Sequence, residues 1–457
     1  MKKDLTTGRP MTVILQFLLP LLLGNIFQQF YNMVDSAIVG KYLGPGALAA
    51  VGSTGSISFL IVGFMMGISS GFSIIVARYY GARDMDGVRR AIGNILWLSI
   101  AISLVVTVAS ALLTHQILVW MQTPADIFEG SYAYIFIIFL GIPATMLYNT
   151  LSGILRALGD SRTPLYFLIV ASFINVILDL LFILTFDMGV AGAALATILS
   201  QLLSGVMCLF YIYKKRSDIH LSRQDLVFRP ALSRNLMFIG LPMALQFSIT
   251  AIGTIIVQAV TNTLGSTAVA AVTAAGKSQA FLTTPTDSLG AAMATYCGQN
   301  LGAGRIDRVK KGYWSAIALG LAFCAFATPF SIFFGRYVSL LFLDATETVI
   351  LDLVAQFLLC NALFYPSLMM VNAVRNSIQG LGYSVPAMAA GVLELVGRCV
   401  AALVMVDIWG FVGIGLASPV AWILAIAFLI PTYHIVVHKL QKHIPISNAM
   451  PKENVST

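Results

Sequence analysis

Apolar stretches of about 20 residues or more recur along the whole chain, and short segments rich in charged, glycine or proline residues separate them. A helix of that length covers the hydrocarbon core of a bilayer, because each residue adds about 1.5 Å of rise. Cutting the chain at its polar breaks predicts twelve membrane-spanning helices. Their approximate boundaries are 12–38, 46–77, 92–115, 131–155, 164–186, 189–213, 235–262, 267–298, 312–334, 349–374, 386–407 and 410–437.

The composition agrees with lipid as the solvent for most of the chain. Only 10% of the 457 residues are charged and 58% are hydrophobic, and the mean hydropathy is +0.88. A water-soluble fold with this composition would expose more apolar surface than such folds tolerate. The five cysteines lie singly in apolar stretches without metal-ligand spacing, and we interpret them as small core residues. The sequence therefore predicts an all-α integral membrane protein.

The basic residues concentrate on one side of the predicted bundle. With a cytoplasmic N-terminus, 23 of the 27 Lys and Arg residues fall in segments facing the cytoplasm, and Arg375 is counted among them. Lys41 and Arg336 fall on the opposite side, while Lys277 and Arg398 lie inside spans. Because basic loops resist translocation, we expect a multi-pass protein of the cell inner (plasma) membrane with both termini cytoplasmic. The net charge of +8 then reflects loops next to the lipid bilayer, and no nucleic-acid partner is expected.

The two halves of the chain resemble each other at a shift of about 222 residues. The matched landmarks include Pro20 with Pro242, Asn149 with Asn372, and GVAGAALAT from Gly189 with GFVGIGLAS from Gly410. Six spans separate the partners, so the two copies have the same orientation. Parallel repeats of this kind are typical of secondary transporters, whose substrate sites lie near the interface of the copies.

The repeat predicts the domain organisation. We expect two pseudo-symmetric six-helix lobes, 1–213 and 235–440, joined by a basic cytoplasmic linker at 214–234 and followed by a cytoplasmic tail at 441–457. A face with glycine at every fourth position, Gly63, Gly67 and Gly71, predicts close helix packing in the second span. Nothing in the sequence requires a second copy, and we expect a monomer.

Two acids lie inside predicted spans of the first lobe with no basic residue beside them in the sequence, Asp35 in span 1 and Asp179 in span 5. A charged side chain at mid-bilayer costs on the order of 3 kcal/mol, so each acid is a functional candidate. Asn175 shares a helix face with Asp179, and Asn149 and Thr197 could add neutral oxygens. Oxygen ligands of this kind suit a Na⁺ ion, or a carboxyl pair that exchanges a proton, and the pattern leaves both open.

The second lobe carries Lys277, Asp287, Glu394 and Arg398 in its predicted spans. Glu394 and Arg398 are four residues apart, which predicts an intrahelical ion pair with a structural role. Alternatively, these four residues line a substrate cavity. The buried formal charge is then −2 in the first lobe and near zero in the second, and a cavity with one negative wall favours cations.

No catalytic or metal-binding constellation stands out in the sequence. The segment AVTAAGKS at 271–278 resembles a phosphate-binding loop, but no strand precedes it and its surroundings are apolar. We expect neither an enzyme nor a cofactor other than a coupling ion, with no metal beyond a possible Na⁺ at Asp35 and Asp179.

Several segments resemble the multidrug and toxic compound extrusion (MATE) transporters. They are LPLLLGNIFQQFYNMVDSAIVGKYLG at 19–44 with the following ALAAVG, RALGDSRTP at 156–164 and NVILD at 175–179. The resemblance covers essentially the whole chain and is closest to the bacterial branch of NorM-, MepA- and DinF-like proteins. The positions of Asp35 and of the Asn175 and Asp179 pair are its most specific element.

The resemblance implies a twelve-helix antiporter that expels cationic or amphipathic drugs in exchange for Na⁺ or H⁺. It also implies a coupling site at Asp35 and Asp179 with Asn149, Asn175 and Thr197, and a bend of the first helix near Pro20. The alternative within the same superfamily is a flippase for a lipid-linked oligosaccharide or a peptidoglycan precursor. Such a flippase should line its cavity with bases that hold pyrophosphate.

Overall fold

The computed structural model describes residues 4–340, 343 and 345–443, and α-helices make up almost all of this part of the chain. The tail predicted at 441–457 lies outside the described residues from position 444 onward. The helices in chain order are α1 Pro10–Ser53, α2 Gly55–Gly81, α3 Met85–Trp120, α4 Phe128–Leu140, α5 Ile142–Ala157, α6 Arg162–Leu180, α7 Gly189–Lys215, α8 Pro230–Thr263, α9 Ser266–Gly302, α10 Ile306–Ser339, α11 Thr348–Ala362, α12 Tyr365–Gly380, α13 Ser384–Val400, α14 Val406–Trp409 and α15 Phe411–His443.

The predicted all-helical membrane fold is confirmed. Nine helical segments in the described residues are long and apolar enough to cross a bilayer, and two bent pairs bring the number to 11. The bent pairs are α4 with α5, at 46°, and α11 with α12, at 49°. The remaining predicted span is α9, a 37-residue helix that is less apolar because it carries many Ser and Thr residues in addition to Lys277 and Asp287. The structure therefore has a helix at each of the twelve predicted places.

The boundary between the first two predicted spans differs from the structure. Helix α1 continues to Ser53 and includes the start of the segment expected at 46–77. The only non-helical residue inside it is Gly44, whose φ is 85°, and Pro45 resumes the helix directly afterwards. Proline fits a first-turn position because its fixed φ is already helical. The helix also continues through the buried Pro20.

The repeat predicted from paired landmarks extends to unusual backbone conformations. Positive φ angles occur at matching places in the two halves, at Gly44 and Gly265, Gly159 and Gly382, and Gly189 and Gly410. Within the described residues, each half also contains one five-residue π-helical turn, Leu181–Thr185 after α6 and Ala401–Met405 after α13. The two halves are therefore built from the same sequence of helices, bends and turns.

The lobes pack against each other along α2 and α8 through small residues. A Cβ atom added at Gly71 would lie 2.4 Å from the Gly240 Cα, and one added at Gly67 would lie 2.6 Å from the Ala244 Cα. No side chain fits at those distances, so the backbones touch directly. The glycine face predicted in the second span is thus the contact surface between the lobes.

The lobe contact is tightest at the end of the bundle where α2 and α9 finish. We call this the basic end because four arginines lie there, Arg78, Arg83, Arg305 and Arg308. Added Cβ atoms at the last residues of α2 and α9 would each lie 1.9 Å from a backbone oxygen of the other helix. Toward the opposite end, exposed residues become frequent on both helices. The lobes therefore close at the basic end and leave a cleft that opens away from it.

The segment before α1, residues 4–9, is bound across this closed end, and we call it the N-terminal strap. The Arg308 guanidinium donates hydrogen bonds to the carbonyl oxygens of Leu5, Thr7 and Gly8 at 3.2, 3.0 and 2.7 Å. The Gln299 amide accepts from the Leu5 N–H at 3.2 Å and donates to the Ala157 carbonyl at 2.7 Å. One glutamine of the second lobe thus holds both the strap and the first lobe.

The backbone contact at Gly71 predicts that a methyl group added there destabilises the protein, whereas one added at an uncrowded glycine does not. In Gly71→Ala the new Cβ overlaps the Gly240 backbone, and overpacking of this kind costs about 1–3 kcal/mol. We expect a lower thermal midpoint for the detergent-solubilised protein, measured by tryptophan fluorescence. The matched control is Gly276→Ala, where a Cβ meets no atom within 4 Å and helix propensity improves. An equal or higher midpoint for Gly71→Ala would contradict the contact.

Candidate ion and substrate site

The two first-lobe acids meet inside the bundle. Asp35 lies on α1 and Asp179 lies on α6, directly before the π-helical turn, and their carboxyl groups are within hydrogen-bonding reach of each other. Asp179 is 0% exposed. One carboxyl oxygen of each residue is buried without a hydrogen-bond partner in the described part of the protein. The two acids therefore form a single site.

Neutral polar groups surround this acid pair. With the Asn175 amide oriented to match its neighbours, its nitrogen donates to the Asp179 carboxylate at 2.9 Å, and its oxygen accepts from the Thr197 backbone N–H at 3.1 Å. The Thr197 hydroxyl accepts from the Tyr31 hydroxyl at 3.4 Å. Three of the predicted neighbours of Asp35, namely Asp179, Asn175 and Thr197, are thus brought together.

Asn149 forms a hydrogen bond within its own helix. Its amide nitrogen donates to the Thr145 carbonyl of its own helix at 2.9 Å, and the Thr145 hydroxyl is itself hydrogen-bonded to Gln201. Among the described residues, the structure shows no hydrogen bond from Asn149 to the acid pair. A neutral amide can satisfy its donor on the backbone four residues earlier, and sequence spacing does not reveal that choice.

The site also contains two tyrosines that the sequence analysis did not predict. Tyr31 and Tyr134 both lie close enough to the two acids to interact with them electrostatically. Tyr31 precedes Asp35 by four residues and so shares its helix face, a spacing that could have identified it. Tyr134 comes from α4, and no spacing in the sequence connects it to the acids.

In the described residues, no basic side chain neutralises the acid pair. In the described residues, neither carboxylate has a Lys or Arg partner within salt-bridge distance. Two carboxylates at hydrogen-bonding distance in an apolar environment cannot both stay charged without compensation. The pair must therefore hold a proton or a small cation, and its tyrosine, amide and hydroxyl neighbours can supply further oxygens.

The second-lobe charges form a different arrangement. Glu394 accepts hydrogen bonds from Arg398 at 3.1 Å, as the four-residue spacing predicts, and also from Arg375 at 2.5 Å. All three residues are buried, at 5 to 8% exposure. The assignment of Arg375 to a cytoplasmic loop is wrong, because α12 continues through it to Gly380 and carries its side chain to α13. One buried carboxylate is thus shared by two buried guanidinium groups, so the triad has no free negative charge.

Asp287 and Lys277 differ from this triad because their side chains are exposed. Asp287 lies between the buried residues Thr286 and Ser288 of α9, and it accepts a hydrogen bond from the Asn372 amide at 2.7 Å. An exposed acid in an otherwise buried stretch of helix lines an internal surface. On the same helix, Ser288 contacts α1 of the first lobe, so this surface borders the lobe interface.

The triad predicts a stability difference between buried and exposed acids. Glu394→Gln leaves two buried guanidinium groups without a counter-charge, and breaking a buried pair costs about 3–5 kcal/mol. We expect the thermal midpoint to fall by about 5 °C or more.

The matched control is Asp352→Asn, which removes an acid paired with Arg336 at 2.8 Å where the side chains are 67% and 44% exposed. Exposed pairs contribute about 0–1 kcal/mol, so its midpoint should hardly change. Equal shifts in the two variants, measured by differential scanning fluorimetry, would refute the structural role of the triad.

Comparison with known proteins adds independent findings. A model of the MatE family matches the chain twice, over residues 20–181 and 242–404. Two Bacillus subtilis (strain 168) relatives are each 31% identical. They are the probable multidrug resistance protein YpnP, over 82% of this chain and 83% of that protein, and the probable multidrug resistance protein YoeA, over 73% of each.

Solved structures share the fold. One is described as an outward-facing conformation of a multidrug resistance MATE family transporter of the MOP superfamily. It has a TM-score of 0.90 at 23% sequence identity and covers 96% of this chain and 98% of that one. The two matches of the family model start 222 residues apart, at the shift that the paired landmarks predict.

Proposed function

Because the chain belongs to the MatE family, we propose that it is a secondary active multidrug efflux transporter that exchanges cationic or amphipathic xenobiotics for Na⁺ or H⁺. Relatives with 31% identity over most of their length are named as probable multidrug resistance proteins. The observation that carries the exchange mechanism is the contact of Asp35 with Asp179 in the absence of a basic partner among the described residues. We expect no enzymatic activity.

The location of Asp35 supports a coupling role. Helix α1 carries Asp35 and also contacts α9 of the other lobe, through Asn25 to Ser288 at 2.9 Å and through Phe30 to Phe281 at 5.4 Å between ring centroids. A bound proton or Na⁺ holds Asp35 against Asp179. Without it, carboxylate repulsion pushes α1 away from α6 and changes its fit against α9. Ion occupancy then favours one arrangement of the lobes, which is all that coupling requires.

The second-lobe residues divide into two roles in this proposal. Glu394 and Arg398 act as structural residues together with Arg375, since Glu394 accepts hydrogen bonds from both guanidinium groups in the buried interior. Asp287 faces the interface and offers a carboxylate to the positive group of a drug, and Lys277 lies on the same helix nearer the open end. Pro20 is the residue in α1 where bending would accompany the change of facing state.

The orientation follows from the basic end. Because basic loops stay on the cytoplasmic side, we place this end in the cytoplasm, with the protein in the cell inner membrane and both termini inside. The closed basic end then corresponds to a state in which the cleft opens outward. We propose that the protein works as a monomer, since each chain contains both lobes and the cleft between them.

A flippase for lipid-linked precursors is not favoured. Such a protein needs free bases in its cleft to hold pyrophosphate. In this protein Arg375 and Arg398 are buried against Glu394. The acid pair instead gives the first lobe a negative wall, which suits a positively charged substrate.

The coupling site predicts loss of exchange when both acids are neutralised. Asp35→Asn/Asp179→Asn keeps the size of the side chains and one acceptor oxygen in each, but it removes the charge that attracts a proton or Na⁺. In proteoliposomes, we expect uptake of a fluorescent cationic drug against an imposed ion gradient to fall to the level of protein-free vesicles.

The matched control is Asp126→Asn, an exposed acid in the connection between α3 and α4, which should transport at the wild-type rate. Sodium and pH gradients are imposed separately, so the gradient that drives wild-type uptake identifies the coupling ion. Normal exchange by the double variant would refute the site. Absence of drug transport by the wild-type protein under every gradient would refute the function.

A further inference from the structure

A second cavity, remote from the cleft, lies on the outer surface of the second lobe at the basic end. Its volume is about 200 Å³, and it is formed where α10 begins and α15 ends. The lining residues are Lys310, Tyr313, Trp314, Tyr433, His434 and Val437. None of these residues takes part in the coupling site or the triad, so the transport mechanism leaves the cavity without a role.

The floor of the cavity is preformed. The Tyr313 and Tyr433 rings stack at 4.1 Å between centroids with an angle of 13°, and both residues are almost completely buried in the main core of the second lobe. Trp314 meets Tyr313 edge-on at 5.4 Å. A floor of interlocked rings keeps its shape when empty, so a ligand would bind without ordering the site first.

The rim of the cavity offers hydrogen-bond donors and positive charge. Lys310 contributes an ammonium group, Trp314 an indole N–H and His434 an imidazole, and all three side chains are exposed. None of them has a hydrogen-bond partner among the described residues. In the part of the chain that the structure describes, no acid is among the lining residues. This combination is complementary to a phosphate group.

The membrane supplies the phosphate that fits this location. Trp and Tyr side chains at the end of a membrane-spanning helix lie at the level of lipid headgroups. Trp314 is 63% exposed, and Leu321, two turns further along the same face of α10, is also exposed. A lipid with its headgroup in the cavity would thus run its acyl chains along an apolar helix face. A free phosphate ion would gain nothing from that face.

We propose that this cavity is a binding site for the headgroup of an anionic phospholipid. Lys310 pairs with the phosphate, the Trp314 and His434 N–H groups donate to its oxygens, and the tyrosine floor packs against the glycerol backbone. The ammonium of a zwitterionic lipid offsets the negative charge of its own phosphate and is repelled by Lys310, so the site prefers lipids with net negative charge.

The site is connected to the closed basic end. Lys310 follows Arg308 by two residues, and the carbonyl of Arg308 accepts a hydrogen bond from the Tyr296 hydroxyl at 2.9 Å. A lipid that immobilises this first turn of α10 also holds the Arg308 guanidinium on the N-terminal strap. Bound lipid therefore favours the state closed at the basic end, a consequence that rests on the proposed function although the binding itself does not.

The test uses the purified full-length protein and phosphatidylglycerol as the probe. Native mass spectrometry in mixed phosphatidylglycerol and phosphatidylcholine micelles counts the bound lipids, and we expect a preferred phosphatidylglycerol site in the wild type. Lys310→Gln should weaken that site by about tenfold, the factor expected for one lost charge-assisted hydrogen bond. Trp314→Leu should weaken it as well.

The matched control is Lys311→Gln, which removes the neighbouring exposed charge without touching the lining. Equal lipid binding by Lys310→Gln and the wild type, or equal loss in the Lys311→Gln control, would overturn the proposal. Displacement of the lipid by millimolar inorganic phosphate would also overturn it, because the site would then be a simple anion site. The substituted residues Lys310, Lys311 and Trp314 are all exposed, and the thermal midpoint of each variant verifies that it is folded. None of these results depends on drug transport.

Discussion

The proximity of Asp35 and Asp179 is the constraint on which the proposed exchange mechanism depends. Two carboxyl groups within hydrogen-bonding reach, one of them completely buried, cannot both be charged unless a cation joins them. The surrounding tyrosine, asparagine and threonine groups can orient such a cation but cannot neutralise the pair. The first lobe is therefore stable in the observed geometry only with a proton or a small cation bound. This requirement makes the geometry sensitive to ion gradients.

The second lobe repeats the backbone of the first but solves the problem of buried charge differently. The bends, the positive φ angles and the π-helical turns recur, yet Glu394 is held between Arg375 and Arg398. The only carboxylate of the triad is shared by two guanidinium groups, so it offers no free negative charge to a cation from solution. The two lobes thus have unequal roles in spite of their common architecture. In the proposed mechanism the first lobe changes its interactions when an ion binds, and the second lobe keeps its own.

Hydropathy and the rarity of buried charge made most of this structure predictable. Twelve apolar stretches had to become helices, because lipid satisfies no backbone hydrogen bonds. The acid pair followed from two charges with no neighbour in the sequence that could compensate them. Partners contributed by distant helices could not be predicted in this way. Arg375 directly follows the predicted span 349–374, and its charge suggested a loop. In the structure α12 continues five residues beyond it, to Gly380, and its partner Glu394 lies on another helix. Tyr134 was missed for the same reason.

Helix α1 connects the parts of the molecule that must respond to one another. Its start follows the N-terminal strap, which Arg308 and Gln299 bind across the closed basic end. Asp35 lies 25 residues further along, about 38 Å of helix away. Opening the basic end requires the strap hydrogen bonds and the direct glycine contacts of α2 with α8 to break together. Neither event involves the acid pair directly, so the proposed mechanism assigns the coupling between ion binding and opening to displacement or bending of α1. Because α1 is continuous through Pro20, it can transmit that displacement along its length. Pro20 lacks a backbone N–H donor, so α1 bends most easily at this residue.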